Sequence, residues 1–295
     1  MATRISPEAT NVVCVHRVNG LNVGDLASTP ALYLRALRDA TVIDALSLEH
    51  RIDELTDNTV IVGGGGLFGH PAFAAMWRAL QSAHPRHLIV WGVGVNDYDS
   101  PDRLEDRFAL SHRELATFDL VGVRDGDTSA RWVPCISCLH PAFDALPQPT
   151  APVVVFSHAQ ASLDHIAPDA PHLTNFGSDI ARAIEFIANG ETVLTNSYHG
   201  AYWALLAGRR VSLISPFSTK FEGLRRVWPI PQFGEHPFEV TEAARRGRSH
   251  PDALTQARAA NAAFAADVAR RTGIDCTTPS QLRAGITRSS IGFAR

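Results

Sequence analysis

Short apolar runs rich in valine and isoleucine recur along the chain, each followed by a polar or glycine turn and then by an amphipathic stretch. In the first half the runs are Val12–His16, Val42–Leu46, Thr59–Val62, His87–Val93, Leu120–Arg124 and Trp132–Ile136. The stretches Pro30–Arg38, Pro71–Ala83 and Arg103–Ala116 between them carry apolar residues at helical spacing. Thr29-Pro30 suits the start of the first, with the threonine hydroxyl as N-cap and proline as first helical residue. Short apolar strands alternating with helices predict a parallel sheet covered on both faces.

The alternation breaks at Pro141–Pro152, where Pro147, Pro149 and Pro152 sit among small residues. Such a stretch reads as an interdomain linker. It then resumes with strand Val153–Phe156, helix Gly177–Ala188, strand Thr192–Leu194, helix Ala201–Ala207 and strand Val211–Ile214. An alanine-rich helix, Asp252–Arg271, is placed to pack back across both halves. The expectation is α/β throughout, with one Rossmann-like domain over residues 1–147 and a second over 148–295. A chain of 295 residues, 45% hydrophobic, is long enough for two cores.

Net charge is −3, which favours neither nucleic acid nor a membrane surface as a general partner. Met1 to Thr10 has no apolar core of signal-peptide length, and no stretch approaches the roughly 20 apolar residues that span a bilayer. A cytoplasmic protein without an integral membrane segment is expected. Four cysteines (Cys14, Cys135, Cys138, Cys276) are too few for a disulfide framework. Cys135-Ile-Ser-Cys138 has C-x-x-C spacing, with His140 following. A zinc site would want a second ligand pair, and a redox pair would open a helix. Pro134 and Pro141 bracket this one, so buried reduced thiols are the better reading. No metal site is expected.

The chemistry concentrates at strand ends. Residues 192–208 run from a short strand through Thr195-Asn196-Ser197-Tyr198-His199-Gly200 into an apolar helix closed by Gly208. A helix start at the carboxyl end of a parallel strand is an anion site, and a histidine there can move a proton near neutral pH. The alternative is that His199 merely caps its helix. Asn22-Val23-Gly24-Asp25 follows the first strand, Gly63–Gly66 the third, and Gly92-Val93-Gly94 with Asn96 and Asp97 the fourth. Glycines let backbone approach a ligand, or they serve tight strand-to-helix packing. The run lacks Gly-Lys-Ser/Thr and G-x-G-x-x-G. Arg124, at the end of the fifth strand, suits phosphate or carboxylate, or an ion pair with Asp125 or Asp127. Lys220 either adds a charge to the same pocket or lies on the surface. Arg245, Arg246 and Arg248 read as a solvated loop rather than an acidic-substrate contact.

In this order the pieces resemble the polysaccharide pyruvyl transferase family. Its Asn-x-Gly-Asp turn corresponds to Asn22, Gly24 and Asp25, its glycine strand end to Gly63–Gly66, and its Gly-x-Gly strand to Gly92 and Gly94. Its Arg-Asp pair corresponds to Arg124 and Asp125, and its Thr-x-x-x-His-Gly turn to Thr195, His199 and Gly200. The resemblance spans about Asn11 to Phe221. It implies a GT-B-like architecture, two Rossmann-type domains facing a cleft. It also implies transfer of pyruvate from phosphoenolpyruvate to two hydroxyls of one sugar or glycan as a cyclic ketal. The donor is then a substrate, and no cofactor is called for. Arg124 and His199 carry over to the phosphoenolpyruvate site as catalytic residues.

Around them, Gly63, Gly64, Gly65, Asn196, Ser197, Lys220 and His158 are candidates for donor binding. Asn22 and Asp25, from the facing domain, are candidates for acceptor binding. Two departures stand out: Ser197 replaces an arginine often found two residues before the histidine, and Phe156-Ser157-His158 replaces a strand that often ends in arginine. A nucleotide-sugar glycosyltransferase is the nearest rival reading. A non-catalytic carbohydrate-binding or assembly protein on the same fold is the other.

Overall fold

The computed structural model describes residues 11–96, 117–126 and 130–280. The expected helix Arg103–Ala116, together with Asp97 and Asp127, lies outside the described residues. Two sheets form, and every strand pair in them is parallel. The first has the order β2-β1-β3-β4-β5-β6. Its strands are β1 Val12–His16, β2 Thr41–Asp44, β3 Thr59–Gly63, β4 His87–Val93, β5 Leu120–Val123 and β6 Arg131–Trp132. The second sheet has the order β11-β10-β9-β7-β8. It comprises β7 Ala151–Ser157, β8 His172–Thr174, β9 Gly190–Thr195, β10 Arg210–Ile214 and β11 Gln232–Phe233. Central strands such as β3 are buried on both faces, which is why they read as continuous apolar runs.

Strand order fixes where ligands can sit. In the first sheet the connections leave β1 in opposite directions, to β2 on one side and β3 on the other; in the second, β7 is flanked by β8 and β9. Such reversals open a crevice beyond the carboxyl ends of the strands. The segments that leave those ends are 17–25 and 63–66 in the first half, and 157–158 and 196–199 in the second. These are the turns that carry the candidate residues.

The helices are α1 Val23–Leu26, α2 Ala74–Ser82, α3 Ile180–Ala188, α4 Tyr198–Leu206, α5 Lys220–Val227, α6 Pro237–Arg246 and α7 Ala253–Thr272. Three expectations need correction. Pro30–Arg38 forms two 3₁₀ turns, Pro30–Leu32 and Arg35–Leu37, rather than one helix. Leu34 between them is extended and bridges Pro279, while the Arg35 N–H donates to the Thr278 carbonyl, so a distant segment takes the bonds a helix needs. The Thr29 hydroxyl does accept from the Ala31 N–H, as its cap position predicts. The strand expected over Trp132–Ile136 stops at Trp132, where Pro134 interrupts the ladder and a 3₁₀ turn, Ile136–Leu139, follows. Arg245 and Arg246 close α6 instead of lying in a loop; there they complement the negative end of its dipole.

The long helix α7 serves both halves. Ala253 and Ala257 join the core built around α3, α4 and the second sheet. Phe264, Ala265 and Val268 join the core beneath the first sheet. Phe264 meets Trp91 of β4 edge-on, with ring centroids 5.0 Å apart. Between the two sets sits Asn261, fully buried. Its Oδ1 accepts from the Trp91 indole N–H at 2.8 Å, and its Nδ2 donates to the Pro134 carbonyl at 3.1 Å. Gly273, at φ 77°, ends the helix in the left-handed conformation. Among the described residues no helix is long and apolar enough to cross a membrane.

Asn261→Ala strands a buried indole N–H and a buried carbonyl together. It should lower unfolding free energy by about 2–4 kcal/mol, read from urea midpoints at unchanged m-value. A loss below about 0.5 kcal/mol would show that the side chain does not clamp the two halves.

Candidate active site

The second half supplies a helix start built to hold His199. At the end of β9, Thr195 Oγ1 accepts from the Ser197 N–H at 3.0 Å, and Ser197 Oγ accepts from the Gly200 N–H at 3.4 Å as the N-cap of α4. The whole of α4 is buried, so its first turn cannot move without repacking the core. Asn196 ties the two strand ends together: its Oδ1 accepts from the His158 N–H and its Nδ2 donates to the Ala161 carbonyl, both at 2.8 Å. His158 lies edge-on to Phe217 at 5.1 Å. Burial, then the Lys220 charge, lowers its pKa to about 4.

The first half meets this helix through Asn22-Val23-Gly24-Asp25. Asn22 caps α1, its Oδ1 accepting from the Gly24 N–H at 3.0 Å, and the Val23 N–H donates to the Asn175 carbonyl of the second half at 3.0 Å. A side chain at Gly24 would overlap Nδ1 of His199. The glycine of this motif is therefore the space that the histidine ring fills. Gly63 and Gly64 behave likewise toward their own half, since a Cβ there would strike Pro30 and Ser28 respectively. A Cβ on Gly65, at φ 83°, would meet Leu67 at 3.7 Å.

Arg124 follows β5 and is 3% exposed. Its guanidinium carbon stands 3.8 Å from the centroid of Tyr198, the neighbour of His199. A Cβ on Gly94 would collide with its Nε, and one on Gly66 would lie 3.2 Å from its terminal nitrogen, so both glycines frame the side chain. The ion pair with Asp125 that the sequence allowed does not form: among the described residues no carboxylate pairs with Arg124, and its buried Nε has no hydrogen-bond partner. Asp125 instead accepts from the Val95 N–H at 2.7 Å, and burial raises its pKa to about 6 against the pull of Arg124. Asn96 Oδ1, Asp125 Oδ1 and Ser218 Oγ are further buried polar atoms without a partner near Arg124 and Lys220.

Lys220, 8% exposed at the start of α5, lies 4.7 Å from the Phe217 ring centroid. Burial and the Arg124 charge lower its pKa to about 8, with Asp25 acting the other way. Asp25 is half-buried; burial raises its pKa to about 6, against the charges of Arg17, Lys220 and Arg124. His199 feels the same field. Burial first, then Arg124 and Lys220, hold its pKa well below 6.5, so the ring is neutral in the ligand-free protein. The site thus joins His199, Arg124, Lys220 and Asp25 in one electrostatic unit. Asn22, Asn196 and Ser197 spend side-chain atoms on shaping the turns around them. Two buried cations with no carboxylate ion pair among the described residues are costly unless an anion joins them, and a dianion there would lift the repulsion on His199.

Sequence reasoning did not single out Ser28 or Tyr198. Nor did it place Cys135 beside His199 Nε2, at 3.5 Å. Tyr198 stood inside the quoted motif and was legible as an aromatic support for an arginine. Ser28 carries no local signal. Among the described residues no group of three or more His, Cys, Asp or Glu is arranged to hold a metal ion.

Comparison with known proteins agrees with the order of these turns. The family model described as polysaccharide pyruvyl transferase matches residues 22–216. The chain belongs to the polysaccharide pyruvyl transferase family. No curated protein matches the chain. Among solved structures, CalG4, the calicheamicin glycosyltransferase, is similar over 85% of this chain and 93% of its own, at 14% identity and a TM-score of 0.43. Family membership makes the protein a transferase of polysaccharide pyruvylation, with a sugar or glycan as acceptor.

Two predictions follow for the transferase without substrate. Arg124→Met keeps the stem against Tyr198 and removes an unpaired buried charge. It should stabilise the free protein by about 1 kcal/mol while abolishing thermal stabilisation by sulfate; a destabilised variant that still responds to sulfate would contradict this. Sulfate stays a dianion from pH 6 to 9, so its pH dependence reports the protein. Lys220 holds its proton below about 8. Sulfate stabilisation should therefore be greater at pH 6.5 than at pH 9. Lys220→Met should flatten that difference in a thermal-shift series.

Proposed function

We propose that the protein transfers pyruvate from phosphoenolpyruvate to two hydroxyls of one sugar as a cyclic ketal. The observation that carries this reading is a buried Arg124 with no carboxylate pair among the described residues, lying over the ring of Tyr198 next to His199, with Lys220 in the same field. Phosphoenolpyruvate carries a phosphate and a carboxylate, and the site supplies two cations to receive them. The N–H groups of the first turn of α4 add positive potential. The reading uses no cofactor and no metal.

The donor's charge sets up its own chemistry. Once the anion offsets Arg124 and Lys220, the pKa of His199 rises and the ring takes a proton. That proton passes to the methylene carbon of phosphoenolpyruvate, and its bonding pair stays on the imidazole. The adjacent carbon becomes oxocarbenium-like, its negative neighbours stabilised by fixed donors. A sugar hydroxyl forms a C–O bond there and returns its proton to His199. A second hydroxyl then forms the other C–O bond as the bond to phosphate breaks, its proton leaving with phosphate. Asp25, a half-buried carboxylate on the acceptor side, accepts hydrogen bonds from the sugar hydroxyls and orients them, and Asn22 holds the turn that presents it. Phosphoenolpyruvate is a cytoplasmic metabolite, so the reaction is assigned to the cytoplasm, on a precursor of an exopolysaccharide.

His199→Gln should keep the fold and donor binding but lower turnover at least 100-fold, followed by mass spectrometry of ketal formation across candidate acceptors. Thermal stabilisation by a nucleotide sugar and none by phosphoenolpyruvate would instead assign the site to a glycosyltransferase.

A further inference from the structure

We propose that Ser28 holds His199 as its Nε2–H tautomer, making Nδ1 the nitrogen that exchanges a proton with substrate. The inference rests on the reading of His199 as proton carrier. It comes from the direction of a buried hydrogen-bond chain. Nε2 lies 3.5 Å from Ser28 Oγ and 3.5 Å from Cys135 Sγ. The Ser28 end of the chain sets the direction at Nε2.

At one end the Trp203 indole N–H, which can only donate, gives to Ser137 Oγ at 3.0 Å. Ser137 then has its own proton for Cys135 Sγ, 3.3 Å away. The Cys135 thiol is directed to Ser28 Oγ at 3.9 Å. At the other end Ser28 Oγ gives its single proton to the Gly24 carbonyl, which can only accept, at 2.7 Å. Having given its only proton to Gly24, Ser28 turns a lone pair toward Nε2, and a thiol directed at Ser28 leaves a sulfur lone pair there too, which assigns the hydrogen to Nε2.

Nδ1 is left with the free pair. It makes no hydrogen bond among the described residues and lies over Gly24, where any side chain would overlap it. At 3.5 Å the contact from Nε2 to Ser28 is long for a neutral ring. It shortens once the ring is charged, because an imidazolium N–H is the stronger donor. In the transfer step the added proton sits on Nδ1, leaves for the methylene carbon, and the electron pair it vacates remains on Nδ1. Nε2–H stays with Ser28 throughout. Ser28 is thus a positioning residue: it touches no substrate but decides which nitrogen does.

The full chain, labelled with ¹⁵N-histidine, gives the test at pH 8, with His199 assigned by its absence from His199→Gln. The expected result is one protonated nitrogen, Nε2, and an unprotonated Nδ1. Protonation at Nδ1 overturns the proposal whether or not any acceptor has been found. Ser28→Ala should give a mixture of tautomers and lower kcat about tenfold, with KM for phosphoenolpyruvate unchanged within about twofold. Ser28→Cys, which keeps an acceptor, should recover part of the loss. An unchanged tautomer and kcat in Ser28→Ala would overturn the assignment. If Ser28→Ala does not fold, the wild-type spectrum decides. Absence of pyruvyl transfer in the wild type, with Nε2–H observed, would remove the proposed reaction and leave the tautomer standing.

Discussion

The His199 ring occupies the volume a side chain at Gly24 would need, and the rest of the site depends on that contact. It joins a turn after β1 to the first turn of α4, so the two sheets contribute to one constellation only while they approach this closely. The Val23 N–H to Asn175 carbonyl bond fixes the approach laterally, and Val23 and Ala27 enter the core of the second half beneath it. The contact has no room to lengthen without opening that core. Close packing of this kind holds a catalytic ring to within a fraction of an ångström, which loops alone seldom achieve.

Around that contact the electrostatics are deliberately unbalanced. Arg124 and Lys220 have aromatic faces for company, and among the described residues half-buried Asp25 and buried Asp125 oppose them without forming an ion pair. Asp125, the obvious counter-ion, turns to the Val95 N–H instead, and its neighbour Gly223 is a glycine because a side chain would strike the carboxylate. A protein built only for stability would have closed this set of charges internally. Here the described residues leave the balance open, and the proposed donor is the anion that would close it and bring a proton onto His199.

Most of the fold was legible because its signals are local. Valine- and isoleucine-rich runs mark β1, β3, β4 and β10 nearly residue for residue. The elements that escaped are those decided at long range. Leu34 gave up a helix to pair with Pro279, the strand expected over Trp132–Ile136 shrank to Arg131–Trp132, and the two-residue β11 went unread because only its pairing with β10 defines it. The site divides in the same way. His199, Arg124 and Lys220 announce themselves as charged or titratable groups at strand ends. Ser28 and Cys135 matter through a hydrogen-bond direction that no spacing in the chain encodes. The glycine turns were legible as turns, but what fills the space at Gly24 and Gly64 was not, since His199 lies far along the chain and Ser28 looks unremarkable in it.

The helix α7 also has a bearing on how the chain is made. Trp91 belongs to the first half, yet the residues that cover it, Asn261 and Phe264, are among the last of the described residues to be synthesised. When the first sheet has been made, Tyr33, Leu37 and Ile136 are at hand to cover part of the Trp91 face, but Asn261 and Phe264 are not. The half cannot mature vectorially, domain by domain, as separate modules do. Its completion waits for α7, so Trp91 lacks part of its cover until that helix has been made.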